Sequence, residues 1–121
     1  MLPRHNRFFA IIYGHGWTVE TLNAVVDAEI EALAVDMRAR LAWLAAVIEQ
    51  VGFEGLPADS VKHLDKKLWE LRISGRDGIS RAIYVTAFGR RMVILRVFSK
   101  KTQKTPRHEL EVARQRAKEV E

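Results

Sequence analysis

The chain has no cysteine among its 121 residues. Disulfide bonds and thiolate metal sites are therefore excluded, and the composition suits a reducing compartment. No apolar run approaches the roughly 18 residues that a membrane-spanning helix needs. The four histidines share no metal-ligand spacing, and the glycines form neither a phosphate loop nor a dinucleotide fingerprint. These absences predict a cytoplasmic protein that needs no metal or cofactor and does not bind a membrane.

Positive charge is abundant, but it is distributed unevenly along the chain. The net charge is +5, yet residues 62–121 hold 16 Lys and Arg against 7 Asp and Glu, and residues 1–61 hold 4 against 8. A basic half on a small protein favours nucleic acid or an acidic protein as partner. The length predicts one domain over residues 17–121, preceded by an N-terminal extension over residues 1–16.

The first half of the domain is predicted to contain a strand followed by two helices. Residues 17–22 alternate in the manner of a strand, and Asn23 is placed to cap the first helix. Asp36 is expected to cap the second helix, which Gly52 ends, and residues 53–61 are expected to form a loop. The apolar side of the second helix consists of Met37, Leu41, Leu44, Ile48 and Val51.

The second half is predicted to form three antiparallel strands and a final helix. The strands cover residues 68–73, 79–87 and 92–98, with a turn at residues 75–78. The last strand is apolar on both faces, so we expect it to be central and covered on both sides. Thr105 is expected to cap the final helix, with Pro106 in its first position. The buried side of this helix is predicted to consist of Leu110, Ala113, Ala117 and Val120.

The resulting order, β–α–α–β–β–β–α, predicts an α+β fold. In this fold, an N-terminal strand and a helical hairpin pack on a small antiparallel sheet that carries a C-terminal helix.

A cluster of cations follows the last predicted strand. Lys100, Lys101, Lys104 and Arg107 fall within eight residues, and no acidic residue occurs before Glu109. Such a cluster suits a phosphate backbone, although a solvated basic loop has the same composition.

Three arginines on the predicted strands extend this pattern. Arg72 lies on the polar face of its strand, where Glu70 can pair with it. Arg81 and Arg96 interrupt apolar faces, and a charge in such a place needs a partner or a wet cleft. Preorganised Arg and Lys donors could stabilise the charge that develops in phosphodiester cleavage without a metal, and RNA supplies its own 2′-hydroxyl nucleophile. The composition alone favours a non-catalytic basic binding face over nuclease chemistry.

Four segments of the second half form a recognisable set. They are Leu68-Trp69-Glu70-Leu71-Arg72, Ser80-Arg81-Ala82-Ile83-Tyr84-Val85, the run from Phe98 to Pro106, and Ala113-Arg114. Together they resemble the phage-derived, HigB-like branch of the RelE/ParE toxin superfamily, from about Trp17 to the end of the chain. One departure is Ala82-Ile83-Tyr84, because many relatives place the aromatic residue closer to the arginine.

The resemblance implies the toxin of a type II toxin–antitoxin pair with a RelE-like fold. Such a toxin cuts mRNA in the ribosomal A site, and a helix-turn-helix antitoxin of the HigA type neutralises it. We expect this partner to present an acidic or amphipathic segment to the helical hairpin or to the loop that carries Lys100, Lys101 and Lys104, called the lysine loop below. The superfamily also contains ParE-like gyrase inhibitors, which leaves gyrase inhibition or a non-catalytic binding module as alternatives.

The resemblance also implies roles for individual residues. Glu70 becomes either a general base or the residue that orients Arg72. The catalytic candidates are Arg72, Arg81, Lys101 and Glu70, and the RNA-binding candidates are Lys100, Lys104, Arg96, Arg107 and Arg114.

Overall fold

The computed structural model describes residues 16–100 and 104–120. Lys101 and residues 1–15 of the predicted N-terminal extension lie outside the described residues. The elements in chain order are β1 (Thr18–Thr21), α1 (Ala24–Glu31), α2 (Val35–Val51), a 3-10 turn (Phe53–Gly55), β2 (Val61–Asp65), β3 (Leu68–Gly75), β4 (Gly78–Ala87), β5 (Arg91–Lys100) and α3 (Arg107–Ala117).

The strands form one sheet in the order β1-β5-β4-β3-β2, which confirms the predicted α+β fold. β1 runs parallel to β5, whereas the other neighbours are antiparallel, so the sheet is mixed rather than purely antiparallel. The prediction missed β2. This edge strand is largely exposed, and it therefore has no buried apolar face that sequence periodicity could reveal.

The sheet is covered on both faces, and each face has its own apolar core. The first core lies between the sheet and helices α1 and α2, and it includes Leu41, Ile48 and Ile94. The second lies under α3 and includes Ile83, Leu95 and Ala113. The side chains of β5 contribute to both cores, which confirms that this strand is central and covered on both sides.

The helix ends match the sequence predictions in part. The Asn23 side chain accepts a hydrogen bond from the Val26 amide at 3.2 Å, and Gly52 ends α2 with a φ of 80°, as predicted. The prediction that Asp36 caps α2 was wrong, because α2 begins one residue before Asp36. The Asp36 carboxylate instead accepts a hydrogen bond from the Arg76 amide at 2.6 Å. Val51 is 52% exposed and does not join the buried side of α2.

The C-terminal helix packs as its sequence predicted. Ala113 is fully buried, and Leu110, Ala117 and Val120 pack against the second core.

In residues 16–100 and 104–120, no helix is long and apolar enough to cross a membrane.

Candidate functional site

A buried ion pair lies on the sheet face that α3 covers. Arg81 Nη1 of β4 donates to Glu70 Oε1 of β3 at 2.7 Å, and the two side chains are 5% and 0% exposed. The Arg81 Nε atom is also buried and has no hydrogen-bond partner. The sequence had allowed Glu70 to pair with Arg72. In the structure the Glu70 carboxylate instead accepts from the arginine of the neighbouring strand, Arg81.

Thr105 attaches the end of the lysine loop to this ion pair. Its hydroxyl donates to Glu70 Oε2 at 2.5 Å, so both oxygens of the carboxylate accept hydrogen bonds. The prediction that Thr105 caps the last helix was wrong. Pro106 takes the N-cap position, one residue later than Thr105, and no side chain caps the helix.

The surroundings of Glu70 bear on its two possible roles. A general base must come within hydrogen-bond reach of the substrate proton. The Glu70 carboxylate is fully buried and binds Arg81 and Thr105, so its geometry supports an orienting role. The residue that it orients is Arg81.

Arg72 lies beside this group on the same face of the sheet. It stands directly opposite Arg81 in the register of β3 and β4, and its side chain is partly exposed. Among the described residues, we find no hydrogen bond or ion pair to its guanidinium. Like charges directly opposite each other on neighbouring strands are unfavourable. An anion bound between them would remove this repulsion.

An open groove of about 380 Å³ runs along the start of α3. Lys104 and Arg107 line it and are exposed. Arg114 also lines it, but its guanidinium donates to Asp65 at 2.7 Å and to Glu111 at 2.5 Å. The hydrogen bond that Arg114 donates to the Asp65 carboxylate is the main reason why the pKa of Arg114 is raised. We call this groove the basic groove. Its lining residues are Lys104, Thr105, Arg107, Leu110, Glu111 and Arg114.

The remaining candidates are placed differently. Arg96 donates to Glu109 at 2.6 Å and to Glu29 at 2.7 Å, and these bonds raise its pKa against the effect of burial. Its charge is thus taken up by a carboxylate network rather than directed to the groove. Lys100 ends β5 opposite Ile79, and Lys101 lies outside the described residues.

Thr105 is the site residue that the sequence analysis missed as such. The residue before a proline favours extended backbone, which fits a helix cap equally well. The sequence therefore gives only a weak signal for the contact between Thr105 and Glu70. To predict this contact, one would need to know that the face of β3 that carries Glu70 is buried.

The comparisons with known proteins identify the family of this chain. A family model described as "Phage derived protein Gp49-like (DUF891)" matches residues 28–118, which include α2, the four strands from β2 to β5, and α3. No curated protein matches the sequence. The chain therefore belongs to the phage-derived Gp49-like family, a RelE-like family of toxins in toxin–antitoxin systems.

Proposed function

We propose that this chain is a toxin of the HigB-like branch that cuts mRNA on the ribosome without a metal ion. The family supports a toxin whose partner is an antitoxin. The geometry of the basic face supports phosphodiester chemistry. The proposed partners are therefore mRNA, the ribosome and an antitoxin of the HigA type.

The buried Glu70–Arg81 pair next to Arg72 is the observation that carries this proposal. Removing two charges from water is costly, and a buried ion pair is often no more stabilising than apolar residues of similar volume. Stability alone therefore gives no reason for charges in this place. Holding a guanidinium rigidly beside a second, partly exposed one is useful for stabilising a developing negative charge.

The proposed reaction uses the RNA as its own nucleophile. The 2′-hydroxyl loses its proton and attacks the adjacent phosphorus, and the bond from phosphorus to the 5′-oxygen breaks as that oxygen gains a proton. Arg72, with Arg81 behind it, stabilises the phosphorane. Lys100, Lys104 and Arg107 hold the RNA backbone, and the resemblance adds Lys101 as a catalytic candidate.

Induction of the protein in cells tests the proposal against the gyrase alternative. We expect translation to stop quickly and new mRNA ends to map within codons. A growth arrest with intact mRNA and DNA-damage signalling would instead identify a gyrase inhibitor. A protein without growth effect that shifts RNA in a salt-dependent gel assay would be a binding module.

A further inference from the structure

A second concave surface lies on the opposite face of the sheet from the basic groove, beyond the C-terminal end of α2. It is an aromatic pocket of about 320 Å³ lined by Trp17, Phe53, Val61, Trp69, Tyr84 and Thr86. The Phe53 ring meets Trp17 edge-on at 4.9 Å and stacks on Tyr84 at 5.8 Å. These contacts fix the walls, so an entering apolar side chain meets a preformed surface.

The pocket adjoins an open edge of the sheet. β2 is the last strand in the sheet order, and its outer side pairs with no other strand in the described part of the chain. The Arg72 amide donates to the Ser60 carbonyl at 2.8 Å, and the antiparallel register continues from there. Because the bonding direction alternates along a strand, the backbone groups of Val61 and His63 point outward.

The other edge of the sheet is partly occupied. The Val19 amide of β1 donates to Glu49 Oε2 of α2 at 2.8 Å, so helix α2 already satisfies an outward group of this edge. An unpaired strand edge is a template for another chain. Between the two edges of the described sheet, β2 is therefore the better suited to pairing.

The edge and the pocket are linked by shared residues. Val61 lines the pocket and also belongs to the open edge, and His63 lies against Trp69 with ring centroids 4.7 Å apart. Side chains of an added strand would alternate between the two faces of the sheet. Every second side chain would then lie on the side of the aromatic pocket.

The charges along this edge indicate the chemistry of the added segment. Lys62 in β2 and Lys66 and Lys67 in the following turn are exposed. The carboxylate of Asp65 within this stretch accepts a hydrogen bond from Arg114 at 2.7 Å. The edge is thus basic toward solvent, and it suits a segment with acidic side chains.

We propose that an extended segment of the antitoxin, alternating apolar and acidic residues, pairs with the outer edge of β2 and inserts an apolar side chain into the aromatic pocket. The proposal relies on the family's antitoxin partner and not on RNA cleavage. The outward backbone groups favour a peptide over RNA. Because the pocket and the basic groove lie on opposite faces of the sheet, the antitoxin could be anchored here without covering the groove.

A synthetic peptide provides the probe. It is an acetylated octapeptide in which Glu alternates with Val and Phe, titrated into the full chain carrying Trp43→Phe. The chain has three tryptophans, so in this variant the fluorescence comes only from Trp17 and Trp69, which line the pocket. We expect a saturable shift of tryptophan emission, and about tenfold weaker binding to Lys62→Glu.

Two N-methylated versions of the peptide test the strand pairing. Methylation of alternate amides on one side should weaken binding at least tenfold, whereas methylation on the other side should change it less than twofold. Circular dichroism of the Lys62→Glu variant checks that it is folded. Absence of binding, or equal affinity of the two methylated peptides, would overturn the proposal.

Other occupants give distinct results that also contradict the proposal. A short single-stranded RNA that shifts the emission when the peptide does not would assign the pocket to nucleic acid. Dimers in sedimentation that Val61→Asp abolishes would assign it to a second copy. Exchange-protected amides at Val61 and His63 in the free chain, lost on Phe9→Asp, would assign it to the chain's own N-terminal segment.

Discussion

At the scale of single residues, Glu70 bears on both the stability of the fold and the proposed chemistry. Its buried carboxylate joins β4 through Arg81 and the end of the lysine loop through Thr105. Loss of one partner from a buried pair leaves an uncompensated charge, whereas loss of the whole group does not. Substitutions can therefore separate what this cluster does for folding from what it does for function.

Glu70→Gln should lower the free energy of unfolding by about 3–5 kcal/mol, because Arg81 then remains charged and buried. Glu70→Leu, Arg81→Met and Thr105→Val combined should lie within about 1 kcal/mol of the wild type or above it. Urea denaturation measures the free energy of unfolding of the Glu70→Gln variant and of the triple variant. A triple variant that folds and stays fully toxic would show that the cluster has only a structural role.

Arg72 and Lys104 should affect cleavage differently. Arg72→Ala should reduce the cleavage rate by about 10²–10³-fold with little loss of RNA binding, because its contact strengthens in the transition state. Lys104→Ala should weaken RNA binding and lower the slope of the logarithm of the binding constant against the logarithm of the salt concentration by about one unit. Single-turnover rates and binding titrations across salt concentrations measure both. If both variants lost only binding affinity, the division between catalysis and holding would be rejected.

Glu49 gives a pH dependence of stability. Burial raises the pKa of its carboxyl above 4.5 despite the hydrogen bond from the Val19 amide, and Oε1 has no partner. With a raised pKa the folded state holds the proton more strongly, so stability falls as the pH rises through this pKa. Glu49→Gln should remove this decrease, which begins as the pH rises above about 4.5, as thermal melts can show. The exposed Glu54→Gln is the control, and a similar pH profile in both variants would contradict the assignment.

At the scale of elements, Glu29 connects three of them. Its carboxylate in α1 accepts from Arg96 Nη1 at 2.7 Å and the Val97 amide at 3.0 Å in β5, and from Arg116 of α3 at 2.8 Å. Helices on opposite faces of the sheet are thus linked around β5. We therefore expect this contact to stabilise the packing of α3, which lines the basic groove.

Glu29→Ala should reduce the free energy of unfolding by about 1.5–3 kcal/mol, because two guanidiniums and one amide lose a charged acceptor. Glu31→Ala is the matched control in the same helix. Its carboxylate is 70% exposed and pairs with Arg38 at 3.2 Å, so its loss should cost less than about 1 kcal/mol. Equal effects in chemical denaturation would show that the Glu29 network does not stabilise the packing.

Element types were predictable from the sequence where a periodic pattern meets a buried face. The apolar β5 and the stripe of α3 were predicted for this reason, and the edge strand β2 was missed because it lacks such a face. The opposition of Arg72 and Arg81 was also predictable in principle. A two-residue turn at Arg76 and Asp77 pairs Gly75 with Gly78 and sets the register of the whole hairpin.

The candidate site was less predictable, because its contacts depend on elements that are far apart in the sequence. The cationic composition of the groove was visible in the sequence. The partner of Glu70 was not, since the alternating pattern of β3 marked its face as exposed, and only the packing of α3 shows that it is buried. Thr105 reaches Glu70 across 35 positions of the chain, and no local pattern encodes such a contact.

At the scale of the whole molecule, the sheet separates the two surfaces for which functions are proposed. The basic groove and the Arg72–Arg81 pair lie on the α3 side, whereas the aromatic pocket lies on the side of α1 and α2. With the proposed functions, one surface would bind RNA and the other a protein partner. The acidic first half of the chain, which includes α1 and α2, would keep nucleic acid on the α3 side.

The most direct test of the central claim is the cleavage of mRNA on purified, programmed ribosomes. The A-site codon carries either ordinary ribose or 2′-deoxyribose, and the folded triple variant is compared with the wild type. We expect the wild type to cut only the ribose codon, with a chelator present, and the triple variant to cut neither. Equal cleavage of the deoxyribose codon, or no cleavage by a preparation that arrests growth in cells, would contradict the account.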